Sequence, residues 1–437
     1  MAVVAPAPRA VWVQHVLPLV GALQDNWTIA LPCLGANAGC VALKDLSSLQ
    51  HGLPFLCGAV PIHMYDIAEN CRAPLSSLLG ECKGSPTFHL GPIEGDILRV
   101  EPAGLECPDG LVSGPPCQFV STLGEHDPFH HPGMLIFNQV LRWIEDFASR
   151  QLQFFVVENV KGLKVKYGGS SQSMLDIAVE RLEKMQPAFQ IRVWNLNAKD
   201  YTLAQQRERI YIIGVRRSTL NRAGARDIPV DPPSAMPRCS LSWFLTACLP
   251  NTPLHTLAPG QRFNFGRYLR LARGAIRDPR MQGKVMCCDL SRNPALSWGP
   301  KFRVDDLVDT LTTANRQLFI ISLGEGKKSP TIRRFLHPDE RCRLQGFSPD
   351  HFGTSPAGDY AKLIGNAFAV PCIGVVLHYS LQVLTTAAGA QNDPVRRARA
   401  RSRSKKPCAN SCARHAPVQI VSISESEVEV ISSSESE

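Results

Sequence analysis

Short apolar runs and helically spaced apolar positions alternate along the first half of the chain. Trp27–Leu31, interrupted only by Thr28, and Phe154–Val157 are short apolar runs, which predict strands, and Ile210–Val215 predicts a further one. Gly110–Ser113 predicts a short strand that leads into a loop, whereas Leu135–Phe147 has its apolar residues at helical spacing. Strands that alternate with helices indicate an α/β fold around a parallel sheet, and ligands of such sheets bind at the carboxyl ends of the strands.

This regular alternation stops after residue 217, and the change predicts how the chain is divided. The stretch that follows is richer in Pro and Arg and less regular, as a smaller second domain would be. A helical pattern then returns, with Pro338–Gln345 and Val370–Val383 as predicted helices. The predicted parts are an N-terminal extension (1–25), a main α/β domain (26–217), an inserted domain (218–325), the last part of the main domain (326–390) and a disordered tail (391–437).

Composition and charge restrict the class of protein. Hydrophobic residues make up 44% of the 437 residues, which is enough for a large core, and no apolar run approaches the ~18 residues of a membrane helix. The 15 cysteines are odd in number and irregularly spaced, which favours reduced thiols over a secreted disulfide framework. The net charge of +9 favours a polyanionic partner such as a nucleic acid. We therefore expect a soluble intracellular protein with no membrane partner.

Cys117 is the first candidate for chemistry. It follows Gly-Pro-Pro at 114–116, and the two prolines stiffen a loop after a predicted strand, so that the thiol is held in place. The small residues Ser121 and Gly124 continue a loop that a nucleotide base can approach. The alternative is a buried structural cysteine, which is common in proteins.

Charged residues next to two predicted strands form the second group of candidates. Glu158 follows Phe154–Val157, and an acid at the end of a buried strand is costly unless it is paired or functional; the alternative is a surface turn. Arg207 and Arg209 precede Ile210–Val215, and alternation places them on the same side of an extended segment. Two guanidinium groups suit an anionic or carbonyl-rich ligand, and the alternative is a charged edge strand.

Taken in order, these segments resemble the motifs of one enzyme family. Gly-Pro-Pro-Cys-Gln at 114–118, Glu-Asn-Val at 158–160 and Gln-x-Arg-x-Arg at 205–209 resemble motifs IV, VI and VIII of the cytosine-C5 DNA methyltransferases. The spacings, about 40 residues from the cysteine to the acid and about 50 more to the last arginine, also suit that family. The other resemblances are Glu94–Ile97 to motif III, Arg334–Phe347 to motif IX and Gly365–Pro371 to motif X, so that roughly residues 26–385 are covered.

The resemblance implies a Rossmann-like, S-adenosylmethionine-dependent methyltransferase fold in which residues 218–325 recognise the target. Cytosine C5 is a poor nucleophile until a thiolate adds to C6, and this addition needs an acid near N3 and a cation near O2. By resemblance, Cys117 attacks C6 of a cytosine flipped out of its helix, and Glu158 binds N3. Arg209, with Arg207 beside it, stabilises the ring at O2. The implied activity is that of a DNA (cytosine-5-)-methyltransferase.

The same motifs imply where S-adenosylmethionine binds. The family has an aromatic residue and closely spaced glycines after its first strand, whereas Pro32–Cys40 lacks the aromatic and spaces its glycines differently. The nearest acid for the ribose hydroxyls, Asp66, stands about two positions out of register. We therefore expect either a divergent lineage or weakened cofactor binding. The residues expected at the cofactor are Leu34, Gly35, Gly39, Asp66, Asp96, Ile97, Pro116 and Asn366.

Other residues are expected to contact the nucleic acid. Gln118 and Ser121 follow Cys117 closely, and Phe119 replaces a glycine of the family, which is expected to stiffen the loop. Between residues 262 and 284 arginines alternate with aromatic residues, a pattern typical either of phosphate contact or of a solvated helix face. The arginines singled out are Arg267, Arg270, Arg273 and Arg277.

The tail carries two further patterns. Arg396–Lys406 has seven basic residues and resembles a nuclear localisation signal or a nucleic-acid tether, the alternative being a solvated linker. Val418–Val421 and Val428–Ile431, flanked by Ser and Glu, resemble motifs that add a strand to the sheet edge of SUMO. The cysteines and histidine of the tail are too few and too irregular for a zinc site, so no metal is expected. We expect the nucleus as the location.

Two alternatives to a DNA-methylating enzyme remain open. The first is an RNA (tRNA) cytosine-C5 methyltransferase of the same fold, a branch whose Cys-Phe-Thr signature is not found in the target region. The second is a catalytically weak relative that binds DNA and acts as a regulator. The altered first cofactor motif favours the second alternative, whereas the presence of Cys117, Glu158 and Arg209 opposes it.

Overall fold

The computed structural model describes residues between 27 and 389, so the predicted N-terminal extension and tail lie outside the described residues. The basic run at 396–406, the SUMO-type patterns at 418–421 and 428–431 and the cofactor candidate Leu34 are among the residues outside. Within 27–389 the positions not described are 34, 36–37, 52–58, 69–70, 72–87, 92, 122–130, 186–188, 247–248, 276, 279–283, 296–301, 304, 314–317, 324–329 and 353–356.

The first eight strands are β1 (Trp27–Pro32), β2 (Ala59–Asp66), β3 (Phe88–Leu90), β4 (Gly110–Ser113), β5 (Phe154–Val160), β6 (Phe189–Asn197), β7 (Gln205–Gln206) and β8 (Glu208–Arg216). Seven of them form the central sheet, in the order β3-β2-β1-β4-β5-β8-β6. Six run in the same direction, which confirms the expected α/β fold, and β8 is antiparallel to both of its neighbours. Residues 198–207, which connect β6 to β8, contain no α-helix, and so short a connection favours antiparallel pairing.

The helices are α1 (Ala38–His51), α2 (Pro132–Arg150), α3 (Met174–Glu183), α4 (Arg217–Arg222), α5 (Pro259–Ala275), α6 (Pro338–Gln345), α7 (Ala357–Asn366) and α8 (Val370–Gly389). Two hydrophobic cores lie on opposite faces of the central sheet, because successive residues of a strand point to opposite sides. Phe154 and Val156 belong to the core shared with α1 and α8, whereas Phe155 and Val157 belong to the core shared with α2 and α3. The helices predicted at 135–147, 338–345 and 370–383 are confirmed.

A smaller sheet follows, built from β9 (Val285–Asp289), β10 (Phe302–Arg303), β12 (Leu318–Leu323) and β13 (Pro330–Phe335), with β11 (Val308–Asp309) pairing instead with β7. One face of this sheet packs into the main core through Val285 and Cys287. The other face packs against α5 through Met286 and Cys288, in a small core of its own. Successive residues of β9 therefore point alternately into the main core and into the small core under α5.

The borders predicted for the inserted domain differ from the packing. Residues from Leu220 to Phe244 contribute to the main core, and the small separate core begins near Leu257. The small sheet also extends past residue 325, since β13 ends at Phe335. Within the described residues, no helix is long and apolar enough to cross a membrane, and no group of three metal-ligating side chains is assembled.

Candidate active site

A cavity of about 330 Å³ lies where β1, β2, β4 and β5 end at their carboxyl termini. One group of its lining residues lies around the Glu158–Arg209 pair and consists of Cys117, Gln118, Glu158, Arg207 and Arg209. The other group includes Asp66 and consists of Gly35, Asp66, Asp96, Ile97, Pro116 and Asn366. The fold therefore brings residues from seven separated segments of the chain to one edge of the sheet, as the rule for α/β sheets predicts.

The loop that carries Cys117 is held by contacts on both of its sides. Ser113 Oγ donates to the carbonyl of Pro32 at 2.8 Å, and Asn159 Nδ2 donates to the carbonyl of Pro115 at 3.2 Å. A Cβ built at Gly114 would lie 2.4 Å from the ring of Phe368, so glycine is the residue that lets this ring cover the loop. The cysteine thus stands on a fixed backbone, which a nucleophile requires.

Phe119 fixes the far side of the same loop. Its side chain is fully buried, with its ring 6.0 Å from that of Phe137 on α2. The backbone N–H of Val120 donates to the carbonyl of Cys117 at 3.1 Å. The substitution of phenylalanine for glycine therefore anchors the loop in the core, while Gln118 stays exposed at the cavity. Ser121 is described but does not line the cavity.

Glu158 and Arg209 form a buried ion pair at the base of the cavity. The sequence places both outside the adjacent strands, but β5 continues to Val160 and β8 begins at Glu208, so each lies within a paired strand. Because β8 is antiparallel to β5, its first residues lie at the carboxyl end of β5. Arg209 Nε is 3.1 Å from Glu158 Oε1, and Glu158 is 7% exposed. The antiparallel strand is therefore what places a cation next to the acid.

Burial dominates the protonation of this end of the cavity. The pKa of Glu158 is raised by burial, and the nearby Arg209 and Arg207 offset only part of that effect. The pKa of the Cys117 thiol is also raised by burial, against a lowering influence of Arg209. The sequence favours a cysteine with thiolate character, whereas burial in this structure favours the protonated thiol.

Arg207 does not stand beside Arg209 as a second free cation. It is 2% exposed, its Nη1 donates to the carbonyl of Leu311 at 2.9 Å, and its Nη2 donates to the carbonyls of Gly365 at 3.1 Å and Ala367 at 2.6 Å. Nε is left without a hydrogen-bond partner among the described residues. We expected the guanidinium groups of both arginines to face a ligand. For the Nη groups of Arg207 this expectation is wrong, because they donate to three backbone carbonyls.

Asp66 organises the opposite end of the cavity. It is the last residue of β2; its Oδ2 accepts from the N–H of Gly35 and its Oδ1 from the N–H of Ala68, both at 2.8 Å. Burial raises the pKa of Asp66 despite these two bonds. Each carboxylate oxygen keeps a lone pair for a further donor, so the group can still accept from the hydroxyls of a ligand.

Glycines bring the surrounding turns close together. A Cβ at Gly95 would lie 1.9 Å from the carbonyl oxygen of Asp66, so only glycine lets the turn before Asp96 approach the end of β2. Asp96 caps the short helix at 97–99 by accepting from the N–H of Leu98 at 3.0 Å. Gly35 has φ of +55° and faces the backbone of Asn366, a conformation that favours glycine.

These features fit the shape and polarity of S-adenosylmethionine. The cavity offers acids at one end for hydroxyl and amine donors, and a backbone surface without side chains at Gly35 for a close approach. Gly39 does not take part, because it lies in α1 and a Cβ there would contact Leu31 at 3.5 Å, away from the cavity. Cys33, at φ of +58°, lines the cavity where the family has its aromatic residue.

The arginines expected to contact nucleic acid lie on the solvent side of α5 and just beyond it. Arg270, Arg273 and Arg277 are exposed, whereas Arg267 is half-buried, stacks on Phe263 at 4.4 Å and donates to Asn293 at 2.7 Å. None of the four lines the cavity.

Sequence reasoning missed several residues that support the site. Asn159 stands in the recognised Glu-Asn-Val segment, but its bond to Pro115 appears only in the structure. Gln205, Gln345 and Phe368 also lie in recognised motifs, and their contacts join parts of the chain that are far apart in sequence. Only the motif positions signalled these residues.

Comparisons with known proteins show which proteins the chain resembles. The family model described as C-5 cytosine-specific DNA methylase matches residues 87–241. M.NgoPII of Neisseria gonorrhoeae, a type II methyltransferase, is 27% identical over 308 residues, 65% of this chain and 80% of that protein. Residues 87–241 of the chain therefore form a C-5 cytosine-specific DNA methylase domain. It is a methyltransferase, and its cofactor is S-adenosylmethionine.

Other relatives match over different lengths. The type II methyltransferase M1.ScrFI of Lactococcus lactis subsp. cremoris is 26% identical, over 66% of each protein. M.FnuDI of Fusobacterium nucleatum is 34% identical, but over 29% of this chain and 34% of that protein. In fold, the chain is similar to the Entamoeba histolytica methyltransferase EhMeth, with a TM-score of 0.52, 14% identity and coverage of 82% and 98% of the two chains. A Spodoptera frugiperda DNMT2 variant gives a TM-score of 0.53, 14% identity and coverage of 82% and 99%.

Proposed function

We propose that this protein is a DNA (cytosine-5-)-methyltransferase that acts through a covalent bond between Cys117 Sγ and C6 of cytosine. One observation carries the proposal: a single cavity is lined both by Cys117, Glu158 and Arg209 and by Asp66 and Asp96. A base and a methyl donor bound at these two groups of residues would lie side by side, as methyl transfer requires.

The first step is the addition of Cys117 to the base. Sγ gives its proton to solvent and bonds to C6; the C5–C6 electron pair shifts to the C4–C5 bond, the C4–N3 pair shifts to N3, and N3 takes a proton from the protonated form of Glu158. The raised pKa of Glu158 favours this role, because the carboxyl keeps its proton closer to neutral pH than an ordinary glutamate does. Arg209, in contact with Glu158, supplies positive charge that stabilises the O2 atom of the cytosine.

The second step moves the methyl group and releases the enzyme. S-adenosylmethionine supplies an activated methyl group when it is bound. The C5 carbon of the adduct bonds to this methyl as the bond between methyl and sulfur breaks. The proton on C5 then leaves to solvent, the C5–C6 double bond forms again, Cys117 departs from C6 as a thiolate, and N3 returns its proton to Glu158. The fixed loop around Cys117 holds Sγ in the same place for attack and for departure.

DNA is the substrate favoured by the relatives and by the surface of α5. The matching family is described as a DNA methylase, and its relatives M.NgoPII and M.FnuDI are named type II methyltransferases. The helix α5 contains four arginines and no acidic residue, and Arg270 and Arg273 point to solvent. We propose that this face contacts phosphates of the DNA backbone.

The decisive test is transfer of a labelled methyl group from S-adenosylmethionine to cytosine in duplex DNA and in tRNA. We expect incorporation into DNA by the natural protein and none by Cys117→Ser. DNA that contains 5-fluorocytosine should trap the protein, because fluorine cannot leave C5 as the proton does, and mass spectrometry should place the adduct on Cys117. Incorporation into tRNA alone would support an RNA enzyme instead, and an active Cys117→Ser variant would exclude the assigned nucleophile.

We also propose that the tail directs the protein to the nucleus and binds SUMO. The basic run at 396–406 and the apolar-acidic segments at 418–421 and 428–431 support this proposal. A fluorescent fusion with the seven basic residues changed to Gln should lose nuclear accumulation. SUMO titrated into the labelled full chain should bind, and changing both apolar segments to Ala should abolish that binding.

A further inference from the structure

Arg207 joins three segments of the chain through their backbone carbonyls. Its Nη groups donate to Leu311, Gly365 and Ala367, at 2.9, 3.1 and 2.6 Å. Its own N–H donates to Asn197 Oδ1 at 3.0 Å, so the backbone of Arg207 is fixed as well. An arginine used in this way acts as a fork that sets the relative positions of the groups it binds.

Two buried glutamines complete the arrangement. Gln205 Nε2 donates to Gln345 Oε1 at 2.8 Å and to the carbonyl of Leu344 at 2.9 Å, and its Oε1 accepts from the N–H of Leu311 at 3.2 Å. Gln345 Nε2 donates to the carbonyl of Ala367 at 2.8 Å. Ala367 is therefore held by Arg207 and by Gln345, and both glutamines are fully buried. Polar networks of this kind specify one arrangement of the backbone when their donors are satisfied.

The segment held in this way forms part of the wall of the cavity. Asn366 lies between the two carbonyls that Arg207 binds, and it lines the cavity opposite Gly35. Gly365 packs so closely that a Cβ there would lie 2.2 Å from the backbone nitrogen of Thr313. Arg207 is separated by one residue from Arg209, which pairs with Glu158 at the other end of the cavity.

We propose that Arg207 is a positioning residue for the cofactor: its guanidinium fixes the turn at 365–367 against the strand that carries Arg209, and so sets the affinity for S-adenosylmethionine. The proposal assigns Arg207 an effect on cofactor binding, not contact with the cytosine. It rests on the proposed function only in its methyl-transfer readout, because cofactor binding is measured without a nucleic acid.

The test is titration calorimetry of S-adenosylmethionine into the full chain and its variants. Arg207→Lys keeps the charge but cannot reach three carbonyls, and we expect its Kd to rise by about tenfold or more. Gln345→Met removes the other bond to Ala367 and should raise the Kd by a few-fold. The double variant should be weakened by less than the product of the two effects, because both side chains hold the same carbonyl.

Arg216→Lys is the matched control. Arg216 is also buried and lies at the far end of β8, where its guanidinium donates to the carbonyls of Leu152 at 2.7 Å and Ala148 at 2.8 Å. It does not line the cavity. We expect its Kd to stay within about twofold of the natural protein, even though comparable hydrogen bonds are removed.

Two results would overturn the proposal. If Arg207→Lys had a normal Kd for S-adenosylmethionine but no methyl transfer, Arg207 would act on the cytosine and not on cofactor binding. If Arg216→Lys weakened cofactor binding equally, the effect of Arg207 would be one of general stability. If Arg207→Lys does not fold, Gln345→Met decides, and an unchanged Kd there is evidence against the proposal. Should the natural protein bind the cofactor but methylate no nucleic acid, the proposed function fails while the positioning role remains measurable.

Discussion

The two ends of the cavity are built in different ways. At the end where we propose that the base binds, the groups proposed to act are side chains: the thiol of Cys117, the carboxyl of Glu158 and the guanidinium of Arg209. At the cofactor end, much of the surface is backbone, shaped by the turn at Gly35 and by the chain around Asn366. A side chain with a chemical role cannot be exchanged without loss, whereas a backbone surface can be formed by different sequences.

This difference explains why the first cofactor motif is hard to recognise in the sequence while the cavity is complete. Asp66 stands about two positions out of register when residues are counted, but it ends β2 and accepts from the N–H of Gly35. The bulge at His63, whose φ is +50°, shifts the register between β1 and β2. Counting residues along a strand that contains a bulge misjudges which residue reaches its end.

The largest effect is expected at the base end. Glu158→Gln removes the proton donor for N3 while keeping size and polarity, so methyl transfer to DNA should fall by about 10²–10⁴-fold. Affinity for S-adenosylmethionine should change little, because Glu158 lies at the opposite end from Asp66. Steady-state kinetics and cofactor titration measure the two quantities. Glu208→Gln is the control and should remain active, because it removes an ion pair with Lys161 at 3.1 Å but keeps an oxygen that can accept from Gln206 Nε2.

The reverse pattern is expected at the cofactor end. Asp66→Asn loses a charged acceptor for ligand hydroxyls and weakens the bond that orders Gly35, so the KM for S-adenosylmethionine should rise by about 10–100-fold. The rate at saturating cofactor should fall much less. Asp109→Asn provides the control, since Asp109 also accepts from a backbone N–H, that of Thr28 at 2.9 Å, but does not line the cavity. A matching loss in both variants would contradict the cofactor role.

A smaller effect concerns the protonation of Cys117. Arg209 is the main influence that lowers the pKa of this thiol, so Arg209→Gln should raise the pKa further and slow alkylation at any given pH. Glu158→Gln removes a nearby carboxylate and should shift the profile to lower pH. Iodoacetamide labelling of Cys117 across neutral to alkaline pH, followed by peptide mass spectrometry, measures both shifts, which we expect to be about one unit or less. If the two variants shifted the pKa of Cys117 in the same direction, the opposite influences assigned to Arg209 and Glu158 would be wrong.

The smallest effect per residue is expected outside the cavity, on α5. Arg270→Ala with Arg277→Ala should weaken DNA binding a few-fold and lower the slope of log affinity against log salt by about 0.9 for each phosphate that is no longer neutralised. Methyl transfer at saturating DNA should be unchanged. The control is Arg142→Ala with Lys184→Ala, which removes the same amount of positive charge from α2 and from the end of α3. An equal effect of this control on the salt slope would show that net charge alone is responsible.

Local periodicity in the sequence was enough to predict the strands at 27–31, 110–113, 154–157 and 210–215 and the helices at 135–147, 338–345 and 370–383. Cys117, Glu158 and Arg209 were identified through the resemblance of their motifs to one enzyme family, because each residue taken alone left a structural alternative open. The tertiary structure decided what depends on contacts between distant segments: the antiparallel direction of β8, the capture of Arg207 by three carbonyls, and the part of the inserted region that joins the main core. Such contacts have no local signature in the sequence. A guanidinium group can donate to a ligand or to a backbone carbonyl, and the fold decides which of the two lies within reach.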